Sequence, residues 1–315
     1  RMTPRIMKQP PAPGTDEWRG MITASKIPAI LKLSRWQSEY SLWHEMKGLY
    51  TRESPNETRM AMGHLAEDFL AKAWQYKRRQ EQGHHYQLNQ FDRYRQTYEL
   101  TYTNPDLPFP NLATIDRRGI NRKQSGDGRF WIIEAKTASD LRDWGEPGDP
   151  NGVPPDYLAQ VMFQMGVSGV HNASIVAVDY NFKPEIWDIG FNSTVFDHMV
   201  KKASAFYETL SQDDPPELDD SVATYETVRG IHPDIDKGSK IEISLELASK
   251  YLDAVHAAEV AEANLRGAKI QLLSEMGTTN IATCDTGTDK PVKIADRRPG
   301  RGGSISLYAN KKAQL

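Results

Sequence analysis

The sequence predicts an α/β protein in which helices flank a central mixed β-sheet, followed by a long helix and a basic tail. Three observations carry this expectation. Apolar residues recur at helical spacing in the first third of the chain, β-favouring runs cluster between residues 97 and 143, and helical and extended patterns then alternate to residue 210. An order of helices, strands, helix, strands, helix is that of an α/β sandwich around one sheet.

In chain order, Pro4, Pro10, Pro11 and Pro13 keep the opening out of helices and central strands, so residues 1–17 are expected to form an extended arm. Thr23 and Ser25 precede Ile27, Ile30, Leu31 and Leu33, an N-cap signal ahead of a helical face. Further helices are expected over 39–47 and 58–79, the latter with Met62, Leu65, Ala66, Phe69, Leu70 and Ala73 on one face. Residues 98–102, 111–115 and 130–133 favour extended chain and are separated by turn residues such as Asn104-Pro105 and Gly126-Asp127-Gly128; they read as strands of one sheet. A helix over 155–167, strands over 173–180 and 185–191, and a helix over 193–210 complete a core spanning 18–216. The acidic, proline-containing Asp213-Asp214-Pro215-Pro216-Glu217 breaks the pattern, and 217–244, without sustained periodicity, reads as a linker. Residues 245–276 then predict one long helix ended by Gly277, in a helical and basic appendage of 245–315 that includes the run Arg297-Arg298-Pro299-Gly300-Arg301.

With 315 residues, 38% of them hydrophobic, the chain can bury a sizeable core. It contains no uncharged apolar run of about 18 residues, and residues 1–14 have no signal-peptide core, so a soluble, intracellular protein without a membrane partner is expected. One cysteine, Cys284, excludes an internal disulfide, a cysteine zinc site and a four-cysteine cluster; any metal must sit on oxygen or imidazole ligands. A net charge of −3 excludes a general polycation. Positive charge is local, at Arg117, Arg118, Arg122, Lys123 and Arg129 and again over 290–312, and either group also fits a solvated surface. His84-His85 lacks helical metal-ligand spacing, Trp36, Trp43 and Trp74 read as packing residues, and Cys284 as inert.

The informative constellation is Ile132-Ile133-Glu134-Ala135-Lys136, an apolar strand ending in a carboxylate and an ammonium. Strand alternation puts Glu134 and Lys136 on one face and Ala135 on the other. Asp116 ends the preceding strand-like segment and can bring a second carboxylate alongside. Two acidic oxygens and a main-chain carbonyl suit Mg²⁺ or Mn²⁺, and a nearby lysine with a depressed pKa can orient or deprotonate a water for phosphodiester hydrolysis. Read alone, the pair also fits an exposed salt bridge. Glu67, on the mostly apolar helix face of Gly63-His64-Leu65-Ala66-Glu67, fits either a site carboxylate or a partner for a helix-edge Arg or Lys. Tyr157 and Gln160, three apart on a helix, share a side, where Gln160 fits the site or a backbone group.

As a set, residues 18–25 (WRGMITAS), Gly63-x-x-x-Glu67, Asp116, Glu134-Ala135-Lys136 and Tyr157-Leu158-Ala159-Gln160-Val161 resemble the lambda exonuclease and YqaJ-type viral recombinase family of the PD-(D/E)xK nuclease superfamily. The resemblance covers about 18–207. It implies metal ligands at Asp116, Glu134 and the Ala135 carbonyl, assisted by Glu67, for Mg²⁺ or Mn²⁺, with two ions per site. It also implies a catalytic Lys136, a tyrosine–glutamine helix motif at Tyr157 and Gln160, and a DNA 5′-phosphate contact at Arg19 and Ser25. The chain departs from the family's Ser-Pro-Asp-Gly, reading Thr114-Ile115-Asp116-Arg117. The implied activity is a 5′-to-3′ exonuclease on linear double-stranded DNA that exposes 3′ single strands for recombination. The implied assembly is a homo-oligomer, a trimer, working with a single-strand annealing protein in the cytoplasm, that of the host cell where the gene is phage-borne. An endonuclease of the same superfamily and a catalytically silent DNA-binding or protein-interaction module are the alternatives.

Overall fold

Ile132 and Ile133 are fully buried on opposite faces of one strand, and the two apolar layers that cover them organise the first 235 residues. The computed structural model describes residues 4–52, 57–149, 151–287 and 290–314; residues 1–3 of the expected arm, and 288–289 and 315 of the expected appendage, lie outside the described residues. The chain divides into two units, Arg1–Ile235 and Asp236–Leu315.

The first unit begins β1 (Arg5–Ile6), α1 (Asp16–Arg19), β2 (Ile22–Thr23), α2 (Ile27–Ile30), α3 (Glu39–Met46) and α4 (Glu57–Gln82). It continues β3 (Gln87–Leu88), β4 (Leu100–Thr103), β5 (Asn111–Ile115), β6 (Arg117–Ile120) and β7 (Phe130–Thr137). It ends α5 (Pro155–Ser168), β8 (Asn172–Val178), β9 (Glu185–Gly190), α6 (Ser193–Gln212) and α7 (Val222–Ile231). The second unit holds α8 (Leu245–Met276) and an antiparallel sheet of β10 (Ile281–Cys284), β11 (Val292–Pro299) and β12 (Ile305–Ala309). This is the mixed α/β architecture with helices on a mixed sheet, and a long C-terminal helix, that the sequence predicts.

The main sheet has the order β3-β6-β7-β8-β9, with β7 antiparallel to β6 and parallel to β8. Alternation along β7 sends Ile132 to the layer that contains Phe163 and Met165 of α5, and Ile133 to the layer that contains Leu70 and Trp74 of α4. Helices therefore cover both faces of the central strand.

The strand segments expected in one sheet divide between two. β4 and β5 belong to a four-stranded sheet, β1-β4-β5-β2, whereas β7 lies in the five-stranded one. Ile115 pairs with Leu100 and Arg117 pairs with Ile133, so Asp116 is the single residue at which the chain changes sheets.

Other expectations shift for identifiable reasons. In α4 the buried stripe is Leu70, Ala71, Trp74 and Arg78, while Met62, Leu65 and Phe69 stay exposed, because the sheet meets the helix on a face rotated from the richest apolar one. Arg78 is tolerated there because its guanidinium lies beside the Trp74 and Trp131 rings and pairs with Asp188 and Ser174. Trp43 and Trp74 are buried as packing residues, but Trp36 is 68% exposed. Helix α2 has four residues and its N-cap is Lys26, without a side-chain cap bond; Thr23 is in β2 and its hydroxyl lies 2.9 Å from that of Ser25. The stretch expected as a linker contains α7, packed on α3 through a Thr224-to-Ser38 hydroxyl bond of 2.7 Å and a fully buried Thr227. Thr224 and Thr227 are the buried residues of α7, while the apolar Val222 and Tyr225 stay exposed. Among the described residues, no helix is long and apolar enough to cross a membrane.

The α5–α6 contact depends on a glycine. A Cβ placed on Gly166 would overlap the Phe196 ring of α6. Gly166→Ala is expected to lower the urea midpoint with the slope unchanged, a loss of about 1–3 kcal/mol; an unaltered midpoint would mean that Phe196 relaxes freely and does not fix this packing.

Candidate active site

Glu134, 2% exposed, follows two fully buried isoleucines on β7. Its Oε1 accepts hydrogen bonds from Lys136 Nζ at 2.6 Å and Gln160 Nε2 at 2.7 Å. Its Oε2 accepts one from Gln164 Nε2 at 2.8 Å, a group that also donates to the Thr114 carbonyl at 2.8 Å. Both carboxylate oxygens are thus satisfied, as burial of a charge requires. Lys136 Nζ lies 4.9 Å from the centroid of the Tyr157 ring. Tyr157, Gln160 and Gln164 share one side of α5, at i, i+3 and i+7.

The Asp116 Oδ2 accepts the backbone N–H of Ala135 at 2.7 Å. Continuing the β6–β7 register by one residue from Arg117 and Ile133 sets Asp116 level with Glu134. From the opposite layer, α4 contributes Glu67, whose Oε1 bonds His64 Nδ1 at 2.7 Å. Glu67 opens with Gly63, Ala135 and Lys136 on one cleft of about 240 Å³. His64, Glu67 and Glu99 present ligand atoms within 4.8 Å of one another.

The electrostatics follow from this crowding. Burial, then the neighbouring Glu134 charge, lifts the Asp116 carboxyl well above its ordinary range, against the pull of Lys136. Burial likewise raises Glu67, with Glu99 and Glu134 adding to it and His64 opposing it. For Lys136, burial works to lower the ammonium, but Glu134 and Asp116 outweigh it and hold the group above the usual lysine value. The depressed lysine expected from the sequence is therefore corrected: two carboxylates, not a positive neighbour, set its environment.

Glu134, Lys136, Asp116, Ala135, Gln160, Tyr157 and Glu67 are brought together. The partners of Glu67 and Gln160 are a histidine and the Glu134 carboxylate, in place of a helix-edge cation and a backbone group. Arg19 and Ser25 stand apart: Arg19 pairs with Asp16 and donates to the Gly14 carbonyl at 3.0 Å, and Ser25 bonds Thr23. Lys26 holds that segment by donating to the carbonyls of Trp18, Arg19 and Met21, and burial lowers its pKa to about 7. His84 and His85 lie in a loop, and Cys284 is free and exposed.

Sequence reasoning missed Gln164, His64 and Glu99. The first two had a signal, since Gln164 is one turn beyond Gln160 and His64 one turn before Glu67. Glu99, brought near by the fold alone, had none.

An α/β protein with a carboxylate-rich, lysine-bearing centre at the end of its central strand is thereby defined. Residues 17–171 match the model of the YqaJ-like viral recombinase domain. The chain is similar to the uncharacterized protein YqaJ of Bacillus subtilis (strain 168), at 23% identity over 238 residues, covering 73% of this chain and 67% of that protein. Solved structures similar to it include the alkaline exonuclease LHK-Exo of Laribacter hongkongensis, at 18% identity, 63% of this chain, 94% of that chain and a TM-score of 0.42. A crystal structure of LHK-Exo in complex with dAMP matches at 19% identity over the same shares with a TM-score of 0.43.

A carboxyl raised by folding binds more protons folded than unfolded, so its contribution to stability falls as pH rises from about 4 through the raised value. In EDTA, Asp116→Asn is therefore expected to raise the thermal midpoint at about pH 8 and to lose that gain as the pH falls to about 4. Equal midpoints for both proteins at the higher pH would show that Asp116 is not held under repulsion.

Proposed function

We propose that this chain is a metal-dependent nuclease that degrades one strand of linear duplex DNA in the 5′-to-3′ direction, leaving 3′ single strands for recombination. The observation that carries this reading is the buried Glu134 carboxylate, fixed by Lys136, Gln160 and Gln164 beside an Asp116 carboxylate that is itself tied to the Ala135 N–H. The YqaJ-like viral recombinase domain over residues 17–171 supports the recombination context.

The residues present fit a hard divalent cation. Three carboxylates, Glu67, Asp116 and Glu134, gather around one ammonium, and the raised Asp116 and Glu67 mark negative charge that the protein does not balance itself. Oxygens of Asp116, Glu134 and Glu67 and the Ala135 carbonyl are the proposed ligands, of the type that suits Mg²⁺ or Mn²⁺, with a pair of ions as the proposed complement. Bound there, such a cation supplies the charge that polarises a scissile phosphodiester.

The chain's own groups do the rest. Lys136, whose ammonium bonds Glu134, is the group placed to donate to a phosphate oxygen or to orient the attacking water. Gln160 and Gln164 hold the Glu134 carboxylate in one orientation, and the Tyr157 ring backs the Lys136 stem. Arg19 and Ser25 are the proposed contacts for a terminal 5′-phosphate; for Arg19 this means exchanging Asp16 for the phosphate.

The test is incubation with linear and closed circular duplex DNA in Mg²⁺ and in EDTA, scored as released nucleotides. Release from the linear form in Mg²⁺ alone is expected. Cleavage of the circle would make the chain an endonuclease, and binding without release a silent DNA-binding module. Asp116→Ala and Glu134→Ala should each abolish release while DNA binding in Ca²⁺ persists, and Lys136→Ala should slow it by a factor of about 10² or more. Near-native turnover in any of the three would remove that residue from the proposed centre. Linear DNA with 5′-phosphate ends should be degraded faster than 5′-hydroxyl DNA, and Arg19→Ala or Ser25→Ala should erase the difference; equal slowing of both substrates would place the phosphate contact elsewhere.

A further inference from the structure

Helix α8 has 32 residues, about 48 Å at 1.5 Å per residue, and of these Met276 alone is buried. Residues 251–266 are all exposed. Among them are large apolar side chains, with Tyr251 67%, Leu252 63% and Leu265 55% exposed. Eight apolar residues of α8, four large and four alanine, keep a seven-residue rhythm, while Val260 and Ile270 lie off it. Tyr251, Ala258, Leu265 and Leu272 form one series, and Leu247, Ala254, Ala261 and Ala268 form the other, with alternating steps of four and three between them. That is the seam of a left-handed coiled coil.

We propose that this seam binds a second copy of the same chain, with the two α8 helices antiparallel. The seam complements itself in that direction. With Ala258 facing the partner's Ala261, Tyr251 meets the partner's Ala268, Ala254 the partner's Leu265, and Leu247 the partner's Leu272. Large side chains oppose small ones except at the two ends, and the alanines at the centre let the backbones approach closely. A parallel pair in register would set Tyr251 on Tyr251 and then stack three alanine layers in succession, so no single spacing between the axes would suit both.

Charge selects the same direction. Residues 236–260, leading into and starting α8, hold five acidic against three basic side chains; residues 277–315, following its end, hold seven basic against three acidic. Antiparallel pairing sets the basic end of each copy alongside the acidic start of the other and opposes the helix dipoles, whereas parallel pairing brings like ends together. Leu252 and Val255 widen the apolar stripe on one flank of the seam.

The test is sedimentation velocity of the full chain with its Ala258→Glu/Ala261→Glu variant, which sets four carboxylates at the centre of the pair. The unaltered chain is expected to sediment at twice the mass of the variant. Equal masses, including a monomer for both as would follow if α8 docks on its own chain, overturn the proposal. Orientation is read in a Cys284→Ser background by oxidation. The Ala254→Cys protein mixed with the Leu265→Cys protein should give a disulfide-linked dimer, and the Ala254→Cys protein alone should not. A dimer from Ala254→Cys alone overturns the antiparallel assignment.

Discussion

A carboxylate buried at the end of a hydrophobic strand is the constraint on which the rest of the first unit depends. Left alone, the Glu134 charge would cost several kcal/mol. It is stable where it lies because three donors reach it, one from its own strand and two from α5. Those two bonds specify the rotation of α5 about its axis, since Gln160 and Gln164 must face the strand together. Pro155 in the first turn and Gly169 in the left-handed conformation at the C-cap set the ends of the helix. Phe163, on the adjoining part of the helix surface, then packs on Phe196 of α6. The satisfied charge and the apolar core are thus two consequences of a single placement.

The parts of this arrangement legible in the sequence are those in which periodicity and packing coincide. The α8 limits expected at 245 and 276 are those observed, because a long helix with a serine cap at Ser244 and a terminating Gly277 is specified locally. β7 and α5 were legible for the same reason, and with them Glu134, Lys136, Tyr157 and Gln160. The illegible parts depend on contacts distant in sequence. Nothing local states that the chain leaves one sheet for another at Asp116, since β5 and β6 are separated by that single residue. The buried face of α4 is chosen by the sheet below it, and α7 buries Thr224 and Thr227 while its apolar Val222 and Tyr225 stay exposed. The direction of the Lys136 shift was likewise misread, because it depends on how near the fold brings two carboxylates, and spacing along the chain is silent about that.

Folding gathers Glu67, Asp116 and Glu134 although their mutual repulsion opposes it, as the raised Asp116 and Glu67 carboxyls record. A structural network would be expected to balance its charges, as Arg78, Asp188 and Ser174 do on the far side of the same sheet. The contrast within one molecule is informative. In the balanced cluster the Arg78 guanidinium lies beside Trp74 and Trp131, whereas in the unbalanced one Glu67 opens on a cleft lined by Lys136 and Ala135. Strongly perturbed groups in a cleft mark a functional site more often than a structural one.

The bonding around Glu134 also indicates which of its partners is able to move. Oε1 is shared by Lys136 and Gln160, while Oε2 is held by Gln164, whose amide is anchored at the Thr114 carbonyl. Without the ammonium the two glutamines still satisfy both oxygens, and without Gln160 the ammonium and Gln164 do. Lys136 lies on the strand's last turn of alternation, 18% exposed and against the edge of the cleft, where the glutamines are confined by α5. Oε1 therefore keeps a donor when either Lys136 or Gln160 turns away, whereas Oε2 has Gln164 alone. One charged donor at the cleft edge and two neutral donors on α5 thus hold a single carboxylate, and Gln164 is the member whose loss would strand an oxygen.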